Sequence, residues 1–279
     1  MTSTTRSVLI TGASSGIGEA TALRLARAGW RVFAGVRADA DGDRLRAAAG
    51  ERLEPVTIDV TGPTTIAAVA EALVDQPLDG LVNNAGTALA MPLEFLPLDQ
   101  LRRQLEVNLV GHVAVTQALL PNLRWARGRI VNVGSIAGRS SLPFLSAYAA
   151  SKHALEAVTD ALRVELRPFG IAVTVIEPGT IATSIWRKGG QRFEKLAADM
   201  PMELGVLYGP RMEAFREAAA AAGRRAEPAD KVAIVVERAL TTERPKARYV
   251  VGRDARLRAL VERLPAGLRD LVYERVLLR

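Results

Sequence analysis

The alternation of strand-length apolar runs with helix-length stretches is the feature that most constrains the fold. The apolar runs at residues 8–10, 130–133 and 173–176 are rich in β-branched residues and do not alternate strictly with polar ones. Such strands are buried on both faces, as in a parallel sheet covered by helices. Because parallel strands need right-handed crossover connections, we predict an α/β fold with a doubly wound parallel sheet, Rossmann-type, in three layers.

The chain of 279 residues contains no repeat and no flexible linker, so we predict a single domain over residues 1–279. Two segments depart from the alternation. Residues 180–226 contain Gly189 and Gly190 and several Pro and Met residues, and we interpret them as an irregular lid, the alternative being a long surface loop. Residues 253–279 place leucines at helical spacing between arginines, which predicts an amphipathic extension that docks on its own domain or on a second subunit.

Composition excludes several classes of site. The chain has no cysteine and two histidines, so disulfides and thiolate sites are excluded and no metal site is expected. The net charge of +7 comes from basic residues that are interspersed with acidic ones, which is typical of solvated helix faces and not of a nucleic-acid-binding stripe. The sequence shows neither a signal-peptide pattern nor an apolar stretch of membrane-spanning length, so we expect a cytoplasmic protein.

A glycine-rich turn joins the first strand to the first helix. Glycines at this point let the backbone turn sharply and let a pyrophosphate approach the free amides at the helix N-terminus. We therefore predict a dinucleotide site there, the alternative being a turn that binds nothing. The residues predicted to contact the cofactor in this turn are Gly12, Ser14, Ser15, Gly16, Ile17 and Gly18.

The end of the second strand bears on the choice of cofactor. NAD-binding proteins place an acidic residue there to bind the ribose 2′-hydroxyl. This chain has Val36 followed by Arg37, and a guanidinium could bind a 2′-phosphate. We predict a preference for NADP(H), with NAD(H) as the alternative and Arg37 then being one of many surface arginines. Asp59 and Val60, which close the third strand, are predicted to contact the adenine.

Six motifs in this order resemble the short-chain dehydrogenase/reductase family over residues 7–252. They are the glycine turn, Asn-Asn-Ala-Gly at 83–86, Asn108, Ser135, the pair Tyr148 and Lys152, and Pro178-Gly179. Residues 31–37, the long segment after Gly179 and the extended C-terminus look most like the branch with 17β-hydroxysteroid and retinol dehydrogenases. The joint pattern is specific because the motifs also fall on the appropriate strands, turns and helices.

The resemblance implies a catalytic set of Asn108, Ser135, Tyr148 and Lys152. Tyr148 would be the general acid in carbonyl reduction and the general base in alcohol oxidation. Lys152, four residues later on the same helix face, would stabilise the phenolate and bind the nicotinamide ribose. Ser135 would orient the reacting oxygen, and Asn108 would hold a water that relays a proton to Lys152. The alternative is that these four side chains are structural only.

The resemblance also implies further contacts. Ser135, Tyr148, Ile185 and Trp186 would contact a bulky apolar substrate that is steroid-, retinoid- or lipid-like. Hydride would pass between NADP(H) and a carbonyl or secondary alcohol, in a homodimer or homotetramer paired through the helices of Asn108 and Tyr148. Besides Tyr148 and Lys152, the implied cofactor contacts are Asn84, Ala85, Gly86, Pro178, Gly179, Thr180, Ile181 and Thr183.

Two functions of other classes stay open at this point. One is a protein that senses the dinucleotide and performs no chemistry, and the other is a binder of phosphate or membrane surfaces through the arginine-rich C-terminus. The two histidines are interpreted as structural, His112 at a helix interface and His153 in packing or at the surface.

Overall fold

The computed structural model describes residues 5–278, so the ends of the predicted domain, residues 1–4 and 279, lie outside the described residues. The strands are β1 (Ser7–Ile10), β2 (Arg31–Val36), β3 (Leu53–Thr57), β4 (Gly80–Asn83), β5 (Arg129–Val133), β6 (Ala172–Pro178) and β7 (Arg248–Val251). Within the described residues these seven parallel strands form one sheet in the order β3-β2-β1-β4-β5-β6-β7.

Helices cover both faces of the sheet, and the predicted three-layer α/β fold is confirmed. The helices that precede β7 are α1 (Gly16–Arg27), α2 (Asp39–Ala49), α3 (Pro63–Ala72), α4 (Leu98–Leu105), α5 (Gly111–Ala126), α6 (Ser146–Glu165), α7 (Ile185–Ala197), α8 (Glu203–Gly223) and α9 (Ala229–Thr241). Helices α1, α2 and α9 pack on one face, and α3 and α5 pack on the other.

The central strands are apolar on both faces because each face has its own core. In β1, Val8 and Ile10 are fully buried in the cluster beneath α1 and α9, whereas Leu9 is fully buried in the cluster beneath α3 and α5. Successive side chains of a strand point to opposite faces, so a continuous apolar run is what a doubly covered strand needs.

The strand order reverses between β1 and β4. From β1 the chain adds β2 and β3 on one side and then crosses back to add β4 to β7 on the other. The loops that follow β1 and β4 therefore diverge to opposite faces and leave a crevice at the carboxyl ends of the strands. Apart from Asn108, which lies within the helical stretch of residues 98–126, the predicted motifs follow strands at this edge or lie in the first turns of helices there, which brings them together.

The lid prediction was wrong in one respect, because residues 185–197 and 203–223 form the two helices α7 and α8. Their apolar side chains make a separate cluster in which Phe193 and Met212 pack with Leu89 and Met91. Gly189 lies inside α7, where the helix packs closely on the segment after β4. A Cβ at this position would come within 2.5 Å of the Ala88 carbonyl oxygen, so only glycine fits. Tertiary packing thus outweighs the poor helix propensity of glycine.

The C-terminal extension is helical, and its leucines do not dock on their own domain, so of the two predicted docking surfaces the second subunit stays a prediction. The extension forms α10 (Arg253–Val261) and α11 (Ala266–Leu277), and Leu257 and Leu271 are 64% and 61% exposed. Polar side chains make the attachment instead: the hydroxyl of buried Tyr273 lies 2.7 Å from that of Ser140. Over residues 5–278, none of these helices combines the length and the apolar content that crossing a bilayer requires.

Candidate active site

One cleft at the carboxyl edge of the sheet gathers most of the predicted residues. It lies at the point where the strand order reverses, between the turn after β1 and the segment after β4. Gly18, Asn108 and Thr180 are the predicted residues that do not line it. Those that do are Gly12, Ser14, Ser15, Gly16, Ile17, Arg37, Asp59, Val60, Asn84, Ala85, Gly86, Ser135, Tyr148, Lys152, Pro178, Gly179, Ile181, Thr183, Ile185 and Trp186.

The glycine turn has the geometry of a phosphate cradle. Gly12 and Gly16 adopt φ of 65° and 61°, the left-handed region that favours glycine. A Cβ on Gly18 would overlap the carbonyl oxygen of Gly12, so this residue shapes the turn from behind. Ser15 precedes α1 but its side chain makes no capping hydrogen bond, which leaves the first amides of the helix available for an anion. The turn therefore fits the pyrophosphate of a dinucleotide.

Asn84 ties the segment after β4 to this turn. Its amide nitrogen donates to the carbonyl oxygens of Thr11 and Gly12 at 2.9 and 3.2 Å. In return the Thr11 hydroxyl accepts from the backbone amides of Asn84 and Ala85 at 2.9 and 3.0 Å. The side chain of Asn84 thus fixes the shape of the cleft floor.

Asn108 lies in a π-helical turn over Glu106–Val110, between α4 and α5. Its oxygen accepts from the Thr87 amide at 2.8 Å, and its nitrogen donates to the Thr87 carbonyl and the Ser151 hydroxyl, both at 2.9 Å. A wider turn of this kind is common at functional positions. The Asn108 side chain is thus engaged in holding the segment after Gly86 against the helix that carries Tyr148 and Lys152.

Tyr148 lies buried on α6 at the end of the cleft. Burial raises the pKa of its phenol, against a hydrogen bond with Ser135 and the positive charge of Arg258, which act to lower it. The Ser135 hydroxyl also accepts from the Ala137 amide at 3.1 Å, which fixes its position after β5. The ring of Trp186 packs edge-on against the Tyr148 ring at a centroid distance of 5.5 Å. Tyr148 is therefore a protonated phenol with an aromatic neighbour from the lid.

Lys152 follows one turn later on α6, and its ammonium donates to the Val133 carbonyl at 2.9 Å. Burial lowers the pKa of this amine to about 8, and the Glu156 carboxylate opposes the shift. A lysine with that pKa can hold or release a proton close to neutral pH.

A buried carboxyl pair behind Lys152 was missed from the sequence. Glu177 is fully buried on β6, and Arg248 of β7 contacts both Glu156, at 3.0 Å, and Glu177, at 3.5 Å. Burial, together with the charge of Glu177, raises the pKa of Glu156 to about 7. The spacing of Lys152 and Glu156, which puts both on one helix face, was the signal available for half of this pair.

Arg258 is a second residue that sequence reasoning missed. From α10 its guanidinium donates to the carbonyl and hydroxyl oxygens of Ser140 at 3.0 and 3.1 Å, on the segment that follows Ser135. Its positive charge acts to lower the pKa of Tyr148. No local motif marks Arg258, because it reaches the site from more than a hundred residues away in the chain.

Of the two histidines, His112 lies at a buried position and His153 at an exposed one, as interpreted from the sequence. His112 is buried on α5 with Nε2 2.7 Å from the Ala85 carbonyl oxygen, and burial, with the charge of Lys152, lowers its pKa to about 3. His112 is therefore neutral at physiological pH. His153 is exposed on α6 with Nδ1 2.9 Å from the Ala149 carbonyl oxygen.

Sequence comparison gives one family. The model of the family described as short chain dehydrogenase matches residues 6–192. The human protein named retinol dehydrogenase 16 is 38% identical to this chain, over 95% of this chain and 86% of its own length. The Bos taurus protein named 17-beta-hydroxysteroid dehydrogenase type 6 is 36% identical, over 96% of this chain and 87% of its own length.

Structure comparison agrees. A short chain dehydrogenase from Burkholderia cenocepacia J2315, solved in complex with NADP, superposes with a TM-score of 0.74 at 27% identity and covers 99% of this chain and 98% of its own. The 3-ketoacyl-(acyl-carrier-protein) reductase from Brucella melitensis, solved with NADH, gives a TM-score of 0.71 at 27% identity and covers 88% and 96%.

Proposed function

This chain belongs to the short-chain dehydrogenase family and is an NAD(P)-dependent oxidoreductase, and from that premise we propose that it transfers hydride between NADP(H) and the carbonyl or secondary alcohol of a bulky apolar substrate. The observation that carries the proposal is the convergence of Ser135, Tyr148 and Lys152 at the buried end of a cleft whose other end is a phosphate cradle. This arrangement can bind a dinucleotide along its length and bring a proton donor to the reacting oxygen.

When bound, the dinucleotide supplies or accepts the hydride. In the direction of reduction, the phenol of Tyr148 gives its proton to the carbonyl oxygen, which becomes the hydroxyl of the product. Its raised pKa suits this role, because the phenol is protonated at neutral pH. Ser135 hydrogen-bonds the same oxygen and orients it. Lys152 would bind the ribose hydroxyls of the dinucleotide and return a proton to Tyr148. Asn108 holds the segment after Gly86 against α6, which carries both residues.

We propose an apolar substrate class because Ile185 and Trp186 of the lid line the cleft next to Tyr148. Trp186 is 40% exposed, so part of its ring is available to a ligand. The printed names of the relatives, retinol dehydrogenase and 17-beta-hydroxysteroid dehydrogenase, point to substrates of this kind.

The test of substrate class is turnover of a panel with NADPH or NADP⁺. We expect activity with retinoid or steroid ketones and alcohols. Turnover of small polar ketones alone would contradict the apolar assignment. Binding of the dinucleotide with turnover of no alcohol or ketone would instead favour a non-catalytic sensor.

We propose NADP(H) as the preferred cofactor because Arg37 follows β2 and lines the cleft. Nothing acidic stands at that position to repel a 2′-phosphate. The test is a fluorescence titration with NADPH and NADH, repeated on Arg37→Asp. We expect tighter binding of NADPH and an inverted preference in the variant. Equal binding of both dinucleotides by the wild type would discard Arg37 as the selector.

We further expect a homodimer or homotetramer formed through α4, α5 and α6. Leu98, Val110 and Val164 on or beside these helices are exposed apolar side chains that a second copy would cover. Light scattering coupled to size exclusion measures the mass, and a monomer would contradict the expectation. The cytoplasmic location stays a prediction, to be checked by cell fractionation.

A further inference from the structure

Besides Lys152 at its buried end, four basic side chains line the cleft. Arg37, Arg103, Lys188 and Arg192 all border it, and within residues 5–278 none of the four forms an ion pair. Asp59 is the acidic residue among the lining side chains, and its carboxylate accepts from the amide and hydroxyl of Thr61 at 2.9 and 2.8 Å. The cleft is therefore strongly cationic, which favours an anionic ligand.

Two of the four cations belong to the lid. Lys188 and Arg192 are one turn apart on α7, so they lie on the same side of the helix. Because Gly189 packs closely on Ala88, the rotation of α7 about its own axis is fixed. In this rotation the side that carries Lys188 and Arg192 faces the cleft. The neighbouring Arg187 is exposed and does not line the cleft.

The lid begins directly above the phosphate cradle. A Cβ on Gly16 would lie 2.9 Å from the methyl carbon of Thr183, two residues before α7 starts. Thr183 thus brings the start of the lid against the turn that precedes α1, whose first amides are not capped by the Ser15 side chain. Lys188 and Arg192 follow about one and two turns into α7 and line the same cleft.

Arg103 of α4 faces the lid cations. Burial lowers the pKa of Arg192, and the positive charge of Arg103 lowers it further, against the opposing charge of Asp99. The positive charge of Arg103, like that of Arg37, also lowers the pKa of Asp59. Two guanidinium groups that repel each other across a cleft are stabilised by an anion between them, because each then gains a charge-assisted hydrogen bond.

We propose that Lys188 and Arg192 of the lid, together with Arg103, bind the phosphates of the dinucleotide and hold the lid closed over it. This inference rests on the proposed function, since it takes the dinucleotide as the anion. An anionic group on the substrate is the other source of the same chemistry, and the experiment separates the two.

The experiment compares variants that lose a lid cation lining the cleft with variants that lose a lid cation outside it. Wild type, Arg192→Gln and Lys188→Gln are titrated with NADPH by fluorescence and with 2′,5′-ADP, which carries phosphates but no nicotinamide, by calorimetry. Arg187→Gln and Lys195→Gln are the controls, because both remove a lid cation that does not line the cleft. We expect Kd for both ligands to rise about 5- to 10-fold in the first pair and to stay unchanged in the controls.

Proteolysis gives a second readout that does not depend on activity. Glu194 is exposed on α7, and cleavage by a glutamate-specific protease after it reports opening of the lid. NADPH should slow this cleavage in wild type and in Arg187→Gln, and protect Arg192→Gln much less. Arg192→Lys, which keeps the charge, should recover most of the protection. Thermal melts without ligand identify any variant whose fold is damaged.

Unchanged Kd values and equal protection in all folded variants would overturn the inference. So would a rise in the KM for substrate with unchanged binding of NADPH and 2′,5′-ADP, because the cations would then bind the substrate. Failure of wild type to bind either dinucleotide is a different result, and it would reject the proposed function itself.

Discussion

At the scale of single residues, the protonation of Tyr148 depends on where its side chain lies. Burial keeps its pKa above the ordinary value, so the phenol reaches the substrate as an acid. Tyr148→Phe removes that proton and leaves the ring in place against Trp186. We expect kcat to fall about 10²- to 10⁴-fold, which is the usual contribution of a general acid. The Kd for NADPH should change far less than kcat, and a comparable loss of binding would show that the hydroxyl serves mainly the cofactor.

Glu156 predicts a specific pH dependence of stability. Its pKa is about 7 in the folded protein against 4.5 for an ordinary glutamic acid, because it is buried beside Glu177. The folded state therefore binds more protons than the unfolded state between those values, and this stability is lost as pH rises from about 4.5 through 7. His112, with its lowered pKa of about 3, acts in the opposite sense between about 3 and 6.5.

Glu156→Gln isolates the carboxyl contribution from that of His112. Urea unfolding from pH 4.5 to 8 should show the variant gaining stability relative to wild type as pH rises to 7, with no further change above. Glu165→Gln on the same helix is the control, since Glu165 is exposed. A pH-independent difference between Glu156→Gln and wild type would mean that folding does not raise the pKa of Glu156.

At the scale of elements, the junction of β1 and α1 contains a position, Gly18, that does not tolerate a side chain. Gly18→Ala would push a methyl group into the Gly12 carbonyl and the Asn84 amide. We expect a loss of about 1–3 kcal/mol in the free energy of unfolding and weaker NADPH binding. Gly190→Ala, on α7 with open space around it, should instead stabilise by about 0.5–1 kcal/mol. Urea unfolding measures both, and equal effects would remove the steric argument.

The attachment of α11 depends on one phenol. The hydroxyl of Tyr273 bridges Ser140, at 2.7 Å, and the Glu262 carboxylate, at 2.6 Å. Tyr273→Phe removes a hydrogen-bond partner from buried Ser140 and from partly buried Glu262, and we expect a cost of about 1–3 kcal/mol. Tyr249→Phe is the control, because its hydroxyl accepts a single bond, from the amide of Lys246, and is exposed. Comparable losses in the two variants would contradict the role given to Tyr273.

Elements with local signals were predictable, and those held by tertiary contacts were not. The strands and the glycine turn follow from apolar runs and from backbone requirements that a few adjacent residues carry. The helices α7 and α8 do not, because Gly189 and Phe193 are helical through contacts with residues near 88–91. Arg258 and Glu177 join the site from distant parts of the chain, so no spacing in the sequence marks them.

At the scale of the whole molecule, the dinucleotide cleft touches both halves of the sheet and the lid. A ligand that binds the folded state alone stabilises it by about 2.7 kcal/mol at a hundredfold excess over Kd. For a chain of this size we expect NADPH to raise Tm by roughly 5 °C. Differential scanning fluorimetry measures this shift. It should be smaller in Gly18→Ala at the same NADPH concentration, and an unchanged shift there would place the ligand elsewhere.

The central position of β1 also bears on how the protein is made. Strands β1 to β3 are synthesised first and can pair with one another, yet the far edge of β1 stays open until residues 80–83 join it. The crevice between the turns after β1 and β4 exists only from that moment. A nascent chain on the ribosome therefore becomes able to hold a nucleotide at a definite point of its synthesis, and not gradually as it lengthens.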